Sequence, residues 1–341
     1  MKFKLDLMVL EIKLNMKVEK VSALATDKWA ELLEPFDYLF YHTLDCISSI
    51  HNLSEIECNL YSFTLGKSSA IVPLISRSFE GQQDLVTPYG YSGIIFKNFS
   101  NLLLNKIYNY FCSQSFICSY IVNSPISNDL EPIKHSSFYD KNSCFIIDCS
   151  LSIESLTTNI VGRRRSQVKL KNDCEFIYEK KELKGEFLRL YKLSMQAKEV
   201  SGYHLFSDDM VNSLISSSKT FLIGLKSGGK LLAISLFGST DYACDFILNG
   251  ATHDGRKFSS AILWEAVKIT KSNKIPYFNL GGGIVMDDSL DQYKSKFGGF
   301  RKQFGAFKEV HDMVGYSRIL EQKNIELDDN YNGFFPAYHK V

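Results

Sequence analysis

A chain of 341 residues, 45% hydrophobic and 23% charged, has the composition of a globular protein large enough for two domains, which excludes a disordered or fibrous one. Its formal net charge of +1 excludes a global basic field of the kind that holds a nucleic acid by counterion release. No apolar run reaches the roughly eighteen residues that a membrane-crossing helix needs.

Taken in chain order, the N-terminus MKFKLDLMVLEIKLNMKVEK alternates charged and apolar residues and has no continuous signal-peptide core. Met16 opens the more regular MKVEKVSALATDKWAELL, so residues 1–15 read as an upstream extension. Without an export signal, the eight cysteines read as reduced thiols of a cytoplasmic protein. None forms a CxxC pair, and Cys144 and Cys149 lie in an apolar stretch with no histidine pair nearby. They read as small buried hydrophobes, and no metal site is expected.

Residues 61–78, YSFTLGKSSAIVPLISRS, are two apolar runs around a small polar turn. Residues 221–239, FLIGLKSGGKLLAISLFGS, repeat that design, with Gly228-Gly229 as a hairpin turn. The first copy continues with the polar stretch DLVTPYGYSG, the amphipathic NFSNLLLNKIYNYF and the apolar SFICSYIVNS. The second continues with the strand YACDFILNGA, the loop THDGRKF, the amphipathic SSAILWEAVKITKS and then IPYFNLGG. Leu102, Leu103, Ile107, Tyr108 and Phe111, like Ile262, Trp264, Ala266, Val267 and Ile269, fall near helical spacing. Each half therefore reads as hairpin, strand or loop, helix, strand, an α/β (mixed α+β) pattern. DCSLSIESL places the boundary near residue 150, giving domains at 1–150 and 151–315. The tail 316–341 is polar except for NGFFPAYH, which packs back on the body.

Several stretches carry candidate chemistry. Gly281, Gly282 and Gly283 permit a tight turn and a close backbone approach, but no P-loop GKS or GKT follows them. Asp288 or Ser289 can cap a helix that Gly298-Gly299 ends. On it Leu290, Tyr293 and Phe297 form an apolar stripe, with Lys294 at its edge and Lys296 facing away. Lys294 either snorkels along the apolar surface or points its ammonium into a cleft, and Lys296 is a solvated charge. TPYGYSG, with Tyr89, Gly90 and Tyr91, suits a shaped binding loop. Arg163, Arg164 and Arg165 can bind a nucleotide diphosphate or form a solvated face, and Val168 and Leu170 after them can turn inward. His204 in GYHLFSDD can contact a phosphate or a base, or be structural. Asp84, Asp245 and, more weakly, His42 are candidate general bases; Asp245 stands inside an apolar strand and needs a partner there. Nothing reads as a nucleophilic serine elbow or a Cys–His pair of recognisable spacing.

The order VTPYGYSG, GRRRSQVKLK, NGATHDGRKFSSAILWEAV, FNLGGG and SLDQYKSKFGG, over residues 25–315, resembles the tandem GNAT acyltransferases of the Fem type. The resemblance implies two GNAT-like domains, the first on the acceptor side and the second on the donor side, with the acceptor bound between them. It implies that Arg256, Lys257, Ser259, Ser260 and Ala261, with the three glycines, hold the donor; Ser259 stands where the GNAT pattern has glycine. Lys294 would stabilise the carbonyl oxygen during acyl transfer, and His42, Tyr89, Gly90, Tyr91, Arg164, Tyr203, His204 and Tyr293 would meet the acceptor. The reaction implied is acylation by acyl-CoA of an amino group on a dTDP- or UDP-linked sugar, for bacterial surface polysaccharide synthesis, with no tightly bound cofactor and no membrane partner. Alternatives are a transferase that uses aminoacyl-tRNA to extend a UDP-linked peptidoglycan precursor, and a non-catalytic sugar-nucleotide binding protein.

Overall fold

A computed structural model describes residues 15–126, 138–170, 173–197, 205–283, 285–328, 331 and 333–340. The expected extension lies almost wholly outside them, as do Tyr203 and His204. In chain order the elements begin with β1 (Lys17–Ser22), α1 (Thr26–Leu33), α2 (Leu44–Ile50), β2 (Glu57–Leu65), β3 (Ser68–Phe79), β4 (Gln82–Val86) and β5 (Ile95–Lys97). There follow α3 (Asn101–Cys112), β6 (Phe116–Val122), β7 (Phe138–Asp148), α4 (Ile153–Asn159), α5 (Arg164–Gln167), β8 (Cys174–Ile177), α6 (Lys180–Gln196) and α7 (Asp208–Ser216). The chain ends with β9 (Thr220–Ser227), β10 (Lys230–Ser239), β11 (Ala243–Ala251), α8 (Ser259–Ser272), β12 (Tyr277–Asn279), α9 (Ser289–Ser295), β13 (Phe300–Val310) and α10 (Met313–Gln322).

Two compact units result. The first holds the described residues up to Asp37, those from Leu53 to Lys141 and those from Phe304 on; the second holds Tyr38–Asn52 and Asn142–Gln303. Strands run in the order β1-β2-β3-β4-β6-β13 in the first unit, with β5 on β3, and β8-β9-β10-β11-β12-β7 in the second. Each order is an antiparallel run of four, then a parallel neighbour, then an antiparallel last strand. A parallel pair requires a crossover, and α3 and α8 supply it between β4 and β6 and between β11 and β12. The polar stretch after the first hairpin thus contains a strand, β4, which completes the likeness of the two copies.

The linear division near residue 150 is not the division by contact. After β6 the chain runs into β7, which pairs with β12 at Ile146–Asp148; after β12 it runs into β13, which pairs with β6 at Ala306–Val310. The last strand of each unit therefore comes from the other half of the sequence. Tyr38–Asn52 joins the second unit through α2, where Ser49 Oγ accepts from Ser213 Oγ at 2.9 Å and Asp45 Oδ1 from Ser217 Oγ at 2.7 Å.

Both crossover helices bury the face their spacing marks. In α3 the buried residues are Leu103, Leu104, Ile107 and Phe111, with Ser100 capping the first turn by accepting from the Leu103 N–H at 3.1 Å; Leu102 and Tyr108 are only half-buried. In α8, Ala261, Ile262, Leu263, Trp264, Ala266 and Val267 are buried, packing on Phe237 and Phe278. Each Leu, Ile, Val or Phe among them contributes about 1.5–3 kcal/mol when fully buried. The tail packs on β6 of the first unit through Tyr316, Ile319, Leu320, Phe335 and Tyr338. Cys144 and Cys149 are buried free thiols, and burial pushes the Cys149 thiol up to about 12.

Candidate functional site in the second unit

The parallel pair β11–β12 is short. Ala243–Asp245 pair with Tyr277–Asn279, and then the two chains part. Strand β11 continues beside β10 to Ala251, with a bulge that leaves Ile247 unpaired between Leu236↔Leu248 and Phe237↔Phe246; a bulge bends its strand. On the other side the chain turns onto β7, where the Leu280 N–H donates to Phe145 O at 2.9 Å and the Phe145 N–H to Gly281 O at 3.1 Å. The result is a fork.

The three glycines are each required by this turn. Gly281 has φ +70°, a Cβ on Gly282 would lie 1.9 Å from Ser143 O, and one on Gly283 would lie 2.3 Å from Asp288 Oδ1. Because Ser143 O is a backbone atom in a paired strand, it cannot withdraw. Gly282→Ala is expected to destabilise the protein by about 3 kcal/mol, read as a lowered denaturation midpoint with an unchanged m-value.

Asp288 then caps α9, accepting from the Asp291 N–H at 2.7 Å. Of the expected stripe, Phe297 is buried and Tyr293 half-buried against the same core, but Leu290 is 40% exposed, and within α9 itself the buried residues are Asp291 and Lys294. The cause is polar anchoring. Asp291 is fully buried, ion-paired with Arg301 on β13 and accepting from Ser143 Oγ on β7 at 3.5 Å, which turns its side of the helix inward. Lys296 is exposed, as its position on the helix requires.

Lys294 is 6% exposed. Its Nζ donates to Gly282 O at 2.7 Å and stands 5.8 Å from the centroid of the Phe246 ring, so it spans the opening of the fork. Desolvation lowers its pKa to about 8. At the base of the fork Asp245 is fully buried, its Oδ1 accepting from Asn279 Nδ2 at 2.8 Å and its Oδ2 from the Phe40 N–H at 3.2 Å. Burial raises its pKa to about 7 in spite of both donors. The turn Phe40–His42 reaches Asp245 because Gly238, directly opposite Asp245 on β10, leaves room: a Cβ there would lie 2.4 Å from the Phe40 ring. His42 Nδ1 accepts from the Leu39 N–H at 3.2 Å and so braces this turn.

At the start of α8 the chain arrives through a 3-10 turn, Asp254–Phe258. The Gly255 and Arg256 N–H groups donate to Thr252 O, and the Ser259 N–H donates to Arg256 O. These three amides are committed to the chain itself. Arg256 and Lys257 are exposed, whereas Ser260 and Ala261 are buried. Ser260 joins Arg164 and Tyr293: the Arg164 guanidinium lies 4.0 Å over the Tyr293 ring, its Nη1 donates to Ser260 Oγ at 2.5 Å, and Ser260 Oγ is 3.1 Å from the Tyr293 hydroxyl. The arginine triplet is thus split. Arg164 is buried, its Nε without a partner, while Arg163 and Arg165 are exposed. Val168 is buried behind them, but Leu170 is 41% exposed.

The remaining expected residues lie in the first unit. Tyr89, Gly90 and Tyr91 form a shaped loop in which Tyr91 packs edge-on against Phe304 at 5.4 Å and Gly90 has φ +92°. Asp84 is buried and fully engaged, accepting from Arg77 Nε at 2.7 Å and from the Tyr338 hydroxyl at 2.8 Å, with His339 Nε2 also at 2.8 Å. Burial works to raise its pKa, but His339, Arg77 and Tyr338 together hold it below the ordinary carboxylate value. Such a carboxylate anchors the tail and is a poor proton acceptor. Among the described residues no group of three or more His, Cys, Asp or Glu could hold a metal ion, and no helix is long and apolar enough to cross a membrane.

No protein-family model matches the sequence, and no curated protein matches it. Solved structures do resemble it in fold. FemX aligns with a TM-score of 0.63 at 10% identity, over 89% of this chain and 99% of FemX. L-PGS from Bacillus licheniformis gives 0.52 at 12% identity, over 89% of this chain and 97% of its own. The C-terminal domain of a putative lysylphosphatidylglycerol synthetase from Agrobacterium fabrum gives 0.51 at 9% identity, over 92% and 99%. The chain therefore has a mixed α/β, tandem GNAT-like fold of the kind FemX has.

Proposed function

We propose that this chain is an N-acyltransferase in which an amine attacks an activated acyl carbonyl directly, at the fork of the second unit. The observation that carries this reading is the desolvated Lys294 ammonium across the opening of the fork. A fixed cation in a dry site is worth most to an oxyanion that forms there. The acyl carbonyl enters between β11 and the glycine turn, the amine adds to it, Lys294 Nζ steadies the oxygen, and Asp245 accepts the proton. A carboxyl with pKa about 7 is matched to that task. Collapse of the tetrahedral intermediate expels the donor's leaving group.

The donor is read as an aminoacyl-tRNA. Exposed Arg256 and Lys257 directly precede α8, and exposed Arg163 adjoins the Arg164 that bonds Ser260 there; these cations suit a phosphate-rich molecule. The inward commitment of the Ser259 N–H speaks against a coenzyme A pyrophosphate held on free amides. Acyl-CoA is the second reading, because exposed Arg256 and Lys257 can meet its phosphates without those amides. In both readings the acceptor amine is carried on a nucleotide-diphosphate-linked sugar or its peptide.

The test is a transfer assay with labelled aminoacyl-tRNA and labelled acyl-CoA, each with UDP- and dTDP-linked amino acceptors, alongside thermal melts with UDP and dTDP. Transfer from the tRNA ester, with a melting temperature raised by one nucleotide, is expected. Transfer from acyl-CoA alone would move the donor to the second reading. A nucleotide-dependent melt with no transfer from either donor would replace the enzyme with a binding protein.

A further inference from the structure

A second nucleophile-and-base pair lies in the first unit, independent of the fork. Cys112, the last residue of α3, places Sγ 3.3 Å from Nδ1 of His311, which directly follows β13. The imidazole is fixed from both sides. Its Nε2 is 3.0 Å from Ser119 Oγ on β6, and the His311 and Asp312 N–H groups both donate to Ile117 O, at 2.9 and 3.1 Å. An Nε2–H donated to Ser119 leaves the Nδ1 lone pair facing the thiol. Among the eight cysteines Cys112 alone is not buried. It lines a cavity of about 500 Å³ with His311; Phe116, Ile117, Met313 and Val314 form an apolar wall, Gln82, Gln114 and Ser115 carry hydrogen-bond donors, and Asp312 adds a carboxylate.

We propose that Cys112 is an S-acylation site at which the His311 imidazole acts as base and an acyl thioester is the electrophile. The Sγ–H proton passes to His311 Nδ1 as the sulfur lone pair adds to the thioester carbonyl. The tetrahedral adduct collapses with cleavage of the donor's C–S bond, and the leaving thiolate takes the proton back from Nδ1. The products are an acyl-Cys112 thioester and a free thiol, so no external oxidant or reductant is required. Burial lowers the His311 pKa to about 4, which keeps the imidazole neutral at physiological pH but makes it a weak base, so Nδ1 takes the Sγ proton only in concert with formation of the new carbon–sulfur bond. The Tyr108 hydroxyl bonds to Cys112, and that bond together with burial raises its pKa to about 12, so it stays protonated and can donate to a developing thiolate. The apolar wall has room for a short acyl chain. Gln82 and Ser115 can meet the carbonyl oxygen.

The experiment incubates the full chain with S-acetyl-N-acetylcysteamine and follows S-acetylation by peptide mass spectrometry, with hydroxylamine release to confirm a thioester. Cys112→Ser and His311→Gln are run in parallel, and thermal melts establish that each variant is folded. Iodoacetamide labelling of the same variants reads thiol access separately. The expected result is a hydroxylamine-labile adduct on Cys112, absent in Cys112→Ser. In His311→Gln its rate should fall about 100-fold, the scale of general-base assistance. An adduct that forms equally fast in His311→Gln, or labelling of Cys112 by iodoacetamide with no acetyl adduct, would overturn the proposal.

Discussion

Replacing Lys294 by methionine is expected to lower kcat by roughly 100- to 1,000-fold, the usual loss when one oxyanion partner is removed, and to leave the protein at least as stable at pH 7. The two effects share one cause. A lysine whose pKa falls from 10.5 to about 8 in the folded state carries a burial cost on the order of 3 kcal/mol at neutral pH. Methionine keeps most of the volume without the charge, but it leaves Gly282 O without the donor that Lys294 supplies at 2.7 Å, a loss of about 1–3 kcal/mol. Desolvation therefore matches or exceeds the lost bond. Between pH 8 and 10.5 the unfolded lysine holds its proton while the folded one has released it, so wild-type stability rises with pH through that window. Denaturation of both proteins at pH 7 and pH 10 should show the variant's relative position worsening at the higher pH. A variant that keeps its kcat and is less stable at both would make Lys294 a snorkelling structural residue.

What the sequence made legible was local. Two hairpins, two amphipathic helices and the helix bearing Lys294 are written in runs of under twenty residues, and a helical projection separates Lys294 from Lys296 without a structure. Asp245 stood out because a carboxylate in an apolar strand needs partners. Which partners it has was not legible: the Phe40 N–H is 205 residues away, and its approach depends on Gly238, which has no motif around it. The strand exchange was hidden for the same reason. Only the end of β7 is marked, by DCSLSIESL, β13 carries no signal of its own, and nothing in the composition of either says that each completes the sheet of the other half. That exchange is also what makes the Cys–His pair. By pairing β13 with β6, it carries His311 to the end of α3 and sets it beside a cysteine 199 residues earlier, a separation that no spacing rule reports. The arginine triplet erred in the opposite direction. Its three charges look equivalent in sequence, but only Arg164 finds an aromatic face to stack on.

Asp245→Asn carries the second large effect and tests the proton's destination. If Asp245 accepts the amine proton, kcat/KM should fall by about 100- to 10,000-fold, and the acidic limb near pH 7 expected of the wild type should be missing from the variant's profile. Stability gives an independent reading. The folded carboxyl titrates at about 7 against 3.8 in the unfolded chain, so between those values the folded state binds more protons and wild-type stability falls as pH rises. Above pH 7 the accumulated cost is on the order of 4 kcal/mol. Asparagine avoids it, but its amide can accept from only one of the two donors, Asn279 Nδ2 and the Phe40 N–H, and its own NH₂ faces the other, for a loss of about 1–3 kcal/mol. The variant should therefore gain on the wild type by several kcal/mol as pH rises from 4 to 8. If instead the variant loses activity but keeps the acidic limb, Asp245 is a positioning residue that holds the Phe40 turn and Asn279 in place, and the proton leaves to solvent.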